Sequence, residues 1–319
     1  MTSGAGSAFL RTDEKRGEIM SRRIGFIGAG LMGHGMARNI VDKGYRLTVL
    51  GHRNREPVED LLGRGASEAE TPAALARASD VLILCVPSSA EVEDCVFGED
   101  GILAGAHEGL IVIDSTTAEP ASTERVAKAL AASKVRFADA PLTRSPKDAE
   151  AGRLNTLVGA DAELLAEIRP VLETYCENIF HVGPVGSGHK MKLINNFLSQ
   201  GTAALVAEAA TTAAKAGVDL KMLFEVVSAG GANSNVFQRM MPWVLGESEG
   251  GMIFQLKNGQ KDVRYYTHLA EAVGSTAILG MAVHQIYTLA IAQGEGESYV
   301  PALARGLGKV NGVQLGPRD

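Results

Sequence analysis

Residues 25–40 read Gly-Phe-Ile-Gly-Ala-Gly-Leu-Met-Gly-His-Gly-Met-Ala-Arg-Asn-Ile, which sets Gly28-x-Gly30-x-x-Gly33 between an apolar run and a helix-forming one. A GxGxxG spacing alone is weak, but strand, glycine loop and helix in succession give each glycine a task. Gly28 permits a tight turn, Gly30 lets the backbone approach a pyrophosphate, and Gly33 lets helix and strand pack closely. The helix N-terminus then offers free N–H groups and the positive end of its dipole to phosphate oxygens. Gly28, Ala29, Gly30, Leu31, Met32 and Gly33 are therefore candidate cofactor-binding residues.

Outward from this loop, apolar runs recur at 23–28, 46–50, 81–86, 110–115, 136–141 and from Asn155, alternating with helical pattern. That alternation predicts βαβ units and a mostly parallel sheet covered on both faces. After about residue 187 the strand signal stops, and long Ala-, Gly-, Met- and Leu-rich helical pattern follows. The expected organisation is a tail over 1–22, read as disordered, an α/β dinucleotide-binding domain over 23–187 and an all-α domain over 188–319.

Composition narrows the function. With 31 Lys and Arg against 37 Asp and Glu, the chain is mildly acidic, which argues against a nucleic-acid surface. The longest apolar stretch, from Val81, is too short to span a membrane. Cys85, Cys95 and Cys176 show no paired spacing and the histidines are scattered, so a reducing, cytoplasmic location and no metal site are expected.

The acid that usually binds the ribose should follow the second strand. Here the residues are Gly51-His52-Arg53-Asn54-Arg55. His52, Arg53 and Asn54 suit a 2′-phosphate, so NADP(H) is expected over NAD(H).

Lys192, Asn195, Asn196 and Ser199 are spaced i, i+3, i+4, i+7 within KLINNFLS and share one helical face. The surrounding residues are apolar, so this narrow polar stripe suits either an interface or the wall of a polar-substrate pocket. In the second case Lys192 is the proton donor.

These motifs together resemble the β-hydroxyacid dehydrogenase family, from about Arg23 to near residue 300. The resemblance is carried by the extended glycine loop through Met36, Ala37 and Asn39, by Asp114-Ser115-Thr116-Thr117-x-x-Pro120, by Gly186-x-Gly188-x-x-x-Lys192-x-x-Asn195-Asn196, and by Lys261-Asp262. It implies a Rossmann domain followed by an all-α domain, joined by a long helix. It also implies hydride transfer between NAD(P) and a small β-hydroxyacid or semialdehyde, of the 3-hydroxyisobutyrate or 2-hydroxy-3-oxopropionate type. By the same resemblance Lys192 is the catalytic lysine. Thr116, Asn195, Asn196 and Ser199 contact substrate; Val86, Pro87, Ser88, Thr117 and Lys261 line the cofactor. A homodimer or homotetramer is implied as well.

One segment departs from the family. Its substrate loop usually reads DxPVSGG, whereas here Asp139-Ala-Pro141 continues as Leu142-Thr143-Arg144-Ser145. Thr143 and Arg144 are thus candidate substrate ligands, with Arg144 gripping the anionic group. This loop is similar to that of sulfolactaldehyde reductases, so reduction of a sulfonate-bearing aldehyde is the alternative reaction. A non-catalytic NADP-sensing or scaffold protein on the same fold is the competing class. It gives no reason to keep Lys192, Asn195 and Thr117 together.

Overall fold

The structure, a computed structural model, describes residues 22–51, 53–248 and 251–317. Residues 1–21 of the expected tail, and His52, lie outside them. Contacts divide the chain into two compact units, the first ending at Lys192 and the second starting at Leu193.

In the first unit nine strands form one sheet among the described residues. They are β1 (Arg23–Ile27), β2 (Arg46–Leu50), β3 (Ser67–Ala69), β4 (Val81–Leu84), β5 (Ile111–Asp114), β6 (Arg136–Asp139), β7 (Leu142–Thr143), β8 (Leu154–Gly159) and β9 (Cys176–Gly183). The order is β3-β2-β1-β4-β5-β6-β8-β7, with β9 also paired to β8. The first six strands are mutually parallel, while β8 runs antiparallel to β6 and β7. Order reverses between β1 and β4, the switch point where open parallel sheets bind ligands beyond their carboxyl ends. Central strands are apolar throughout because helices cover both faces: β4 and β5 are buried at every position.

Three strands have no apolar run in the sequence. β3 is Ser-Glu-Ala at the sheet edge and largely exposed; β7 is two residues long; β9 is half-exposed along most of its length. An edge strand has only one neighbour and a wet face, so it needs no hydrophobic sequence. In the segment after Pro141 that was expected to form the substrate loop, Leu142 and Thr143 pair with Thr156 and Asn155.

The helix Ser187–Lys215 begins in the first unit and continues into the second. In the second unit the helices Leu220–Ser228, Asn235–Val244, Leu256–Ala272, Ile278–Ala290 and Leu303–Asn311 enclose a core that includes Met240, Met241, Leu256, Val263 and Tyr287. Part of the apolar surface of the long helix is covered, at Ala203, Ala204, Ala207 and Ala210. Leu198 and Leu205, however, stay 63% and 70% exposed.

Near the end of this unit Glu295 is almost fully buried and accepts from Arg305 at 2.9 and 2.8 Å, Lys309 at 2.8 Å and Ser298 at 2.9 Å. Burial pushes its carboxyl up, and the hydrogen bonds from Arg305, Lys309 and Ser298 outweigh it, bringing the pKa down to about 2. The folded-state value lies below the unfolded one, so this stabilisation is complete above roughly pH 4.3 and is lost as pH falls through 2. Glu295→Gln is expected to destabilise the fold by about 2–3 kcal/mol at pH 7, less than a fully buried pair because Arg305 and Lys309 reach water. Urea denaturation checks this: the difference from wild type should shrink toward pH 2, and a constant difference would show that lost packing is the cause.

Candidate active site

The glycine loop leaves β1 with Gly28 at φ +100°, where a Cβ would meet the Cys85 carbonyl oxygen at 2.2 Å. Gly33 begins the helix Gly33–Asp42, and a Cβ there would strike the Gly28 carbonyl oxygen at 2.0 Å. Gly30 differs: nothing lies within 4 Å of the position its Cβ would take. Two glycines are thus required by the protein's own packing, and the third faces open space. The helix has no side-chain cap, so its first N–H groups are not taken up by a side chain at the cap position. An uncapped helix start beside an open glycine fits a pyrophosphate. Leu31 is exposed beside it, and Ala29 and Met32 are half-buried.

After β2, Arg53 and Asn54 are exposed. Arg55 is held bidentately by Glu68 of β3, at 2.6 and 2.9 Å. Glu68 lies so close to Gly51 that a Cβ there would come within 2.1 Å of its carboxylate. Arg53 is therefore the arginine available to an incoming anion, and Arg55 is already neutralised. His52 lies outside the described residues.

Next to the switch point, Val86 and Ser88 are half-buried and Pro87 exposed. Ser88 caps the helix Ser89–Phe97 by accepting from Ala90 N–H. Thr117 is half-buried beyond β5. Thr116 is buried, and its hydroxyl oxygen accepts from Val86 N–H at 3.2 Å. Thr116, expected as a substrate ligand, thereby links the ends of β4 and β5.

Lys192 projects from the second turn of the long helix, half-buried, and donates from Nζ to the Leu142 carbonyl oxygen at 2.5 Å. What fixes the start of that helix is Asp139, fully buried at the end of β6. Its two oxygens accept from Gly186 N–H at 2.6 Å and His189 N–H at 2.8 Å. A carboxylate there satisfies orphan amides and complements the helix dipole. The reading of the sequence gave Asp139 no role. The signal was present: an acid closing an apolar strand needs a buried partner.

Arg144, expected to grip the anionic group, has partners within the protein. Its guanidinium donates to the Arg153 carbonyl oxygen at 2.5 Å and pairs with Glu177. Its backbone sits at φ +82°, the left-handed region that favours glycine. Thr143 accepts from Asn155 Nδ2 at 3.2 Å, within the β7–β8 pair.

Within the second unit, Asn196 is buried and donates to Asp262 Oδ2 at 2.6 Å, while Lys261 Nζ lies 3.2 Å from Asp262 Oδ1. Asp262 thereby joins the two motifs that the sequence offered separately. Asn195 is exposed, donating to Asn196 Oδ1 at 3.2 Å, and Ser199 is half-buried. Among the described residues no group of three His, Cys, Asp or Glu side chains could hold a metal ion, and no helix is long and apolar enough to cross a membrane.

The fold and these motifs define an NAD(P)-dependent oxidoreductase acting on CH–OH groups. Residues 23–183 match the model of the NAD-binding domain of 6-phosphogluconate dehydrogenase, and residues 186–307 match that of NADP-dependent 3-hydroxyisobutyrate dehydrogenase. The chain is 32% identical over 274 residues to 3-hydroxyisobutyrate dehydrogenase of Pseudomonas aeruginosa, covering 83% of this chain and 91% of that one. It is 30% identical over 273 residues to 3-sulfolactaldehyde reductase of Escherichia coli, covering 86% and 91%. The solved 3-hydroxyisobutyrate dehydrogenase of Mycobacterium tuberculosis with L-serine superposes with a TM-score of 0.81 at 26% identity, covering 90% of this chain and 99% of that one. The chain belongs to the β-hydroxyacid dehydrogenase family.

Proposed function

We propose that this protein interconverts a small β-hydroxyacid and its semialdehyde with NADP(H) in preference to NAD(H), using Lys192 as the proton donor. The observation that carries the reading is the lysine's placement: anchored on the Leu142 carbonyl, it precedes Asn195 and Asn196 by one turn. When bound, the nicotinamide supplies or accepts the hydride. In reduction the Lys192 ammonium passes a proton to the carbonyl oxygen as negative charge develops there; in oxidation the amine takes it back. Asn195, being exposed, is the amide free to turn toward a substrate, while Asn196 is committed to Asp262. Lys261 and Thr117 are assigned to the cofactor, and Arg53 with Asn54 to its 2′-phosphate. The test is a rate panel of 3-hydroxyisobutyrate, tartronate semialdehyde, succinic semialdehyde and sulfolactaldehyde, each with both cofactors. Cofactor binding without turnover of any of them would favour the sensing or scaffold class.

The sulfonate reading requires Arg144 to leave Glu177. Arg144→Gly is therefore expected to keep KM for carboxylate substrates within about threefold of wild type. Stability should stay within about 1 kcal/mol, since relief at φ +82° offsets the lost surface pair. A KM rise confined to sulfolactaldehyde would show that the guanidinium swings onto the sulfonate.

The exposed apolar residues Leu198, Leu205, Ile278, Leu279 and Met281 support a homodimer or homotetramer. Light scattering at micromolar concentration should report more than a monomer mass.

A further inference from the structure

His189 lies one turn before Lys192 on the same helix, and its side chain is fully buried. Ring Nδ1 lies 2.6 Å from Thr123 Oγ1, and ring Nε2 faces Asp114 Oδ2 at 3.9 Å with no hydrogen-bond partner. Asp139 Oδ2, which accepts the His189 main-chain N–H, is 3.9 Å from Nδ1. The Thr123 hydroxyl has one proton and two acceptors in reach, Nδ1 at 2.6 Å and the Glu119 carbonyl oxygen at 3.1 Å; given to the nearer Nδ1, it leaves the ring proton on Nε2. The second nitrogen is then the one turned on Asp114.

Packing alone does not select such a residue. An apolar side chain would fill the same volume without desolvating an imidazole beside two buried carboxylates. Asp114 leads onward: its Oδ1 accepts from Thr116 N–H at 2.9 Å, and Thr116 in turn accepts from Val86 N–H. Burial pushes the Asp114 carboxyl up, opposed by His189 and by Thr116. A chain of buried polar groups therefore leads from the lysine's helix to the ends of β5 and β4, its step from His189 Nε2 to Asp114 Oδ2 spanning 3.9 Å.

The geometry points to His189 as a positioning residue that ties the helix of Lys192 to Asp114, and through Asp114 to the 116–117 and 86–88 segments. The spacing between the proton donor and the cofactor-lining segments is thereby fixed. This inference rests on Lys192 being the proton donor. The Nε2 edge carries the role; the Nδ1 edge anchors the ring.

The two edges separate by substitution, since the Asn amide overlays Nδ1 and the Gln amide overlays Nε2. His189→Asn, His189→Gln, His189→Ala and Thr123→Val are compared for kcat, KM, NADPH affinity by fluorescence and thermal midpoint, with the most active aldehyde of the panel. His189→Ala and His189→Asn should lose at least about tenfold in kcat with KM and NADPH affinity within about threefold, while His189→Gln and Thr123→Val stay within about threefold throughout. The inference is overturned if Asn and Gln give the same kcat. It is also overturned if the loss in His189→Asn comes with equal losses of NADPH affinity and thermal stability, as for a ring that only fills space. Should His189→Ala not fold, the Asn–Gln comparison decides. Activity surviving in Lys192→Ala would instead refute the lysine's role, whatever the His189 variants show.

Discussion

Lys192→Ala is expected to lower kcat by about 10²–10⁴-fold, the range typical of a lost general acid, while NADPH affinity stays near wild type. In the proposed reading Lys192 acts on charge that develops on the substrate oxygen in the transition state, so its removal should weaken no ground-state cofactor contact. Its anchor, the Leu142 carbonyl, is main chain and can take a water in its place. Lys192→Arg should be nearly as inactive. The guanidinium keeps the charge but holds its proton too tightly to give it up. Steady-state rates and NADPH fluorescence titration measure the two quantities separately. More than a tenth of wild-type kcat in Lys192→Ala would remove the lysine from the chemistry.

The second large effect concerns the cofactor. Arg53→Asp should raise KM for NADPH by about 10–100-fold, the equivalent of a charge-assisted contact worth roughly 1.5–3 kcal/mol, and leave NADH little changed or improved. Arg55, the nearest replacement in sequence, cannot compensate because Glu68 holds both of its terminal nitrogens. The ratio of kcat/KM for the two cofactors is the readout. A wild-type enzyme that already favours NADH would show that Arg53 points away from the nucleotide.

Much of this was legible in the sequence wherever one residue type answers one physical demand. Gly28 and Gly33 are dictated by backbone contacts a Cβ would violate, and the central strands by burial on both faces. The polar stripe beginning at Lys192 stood out because amides and an ammonium interrupt an apolar helix. What escaped notice depends on contacts distant in sequence. Asp139 meets residues 186 and 189, His189 meets Thr123 and Asp114, and Glu177 captures Arg144 across 33 positions. Nothing in the local pattern around Arg144 signals that Glu177 will be its neighbour. β3 and β9 escaped for a related reason: an edge is defined by its partner strand, not by its own hydrophobicity.

The way Asp139 is satisfied also governs how this protein can be cut into pieces. The first family match ends at residue 183, which looks like a natural place to truncate. A fragment stopping there would keep all nine strands but lose both amides that neutralise a carboxylate sealed inside the sheet. An isolated nucleotide-binding fragment should therefore be built to extend at least through Lys192, so that two turns of the long helix travel with it.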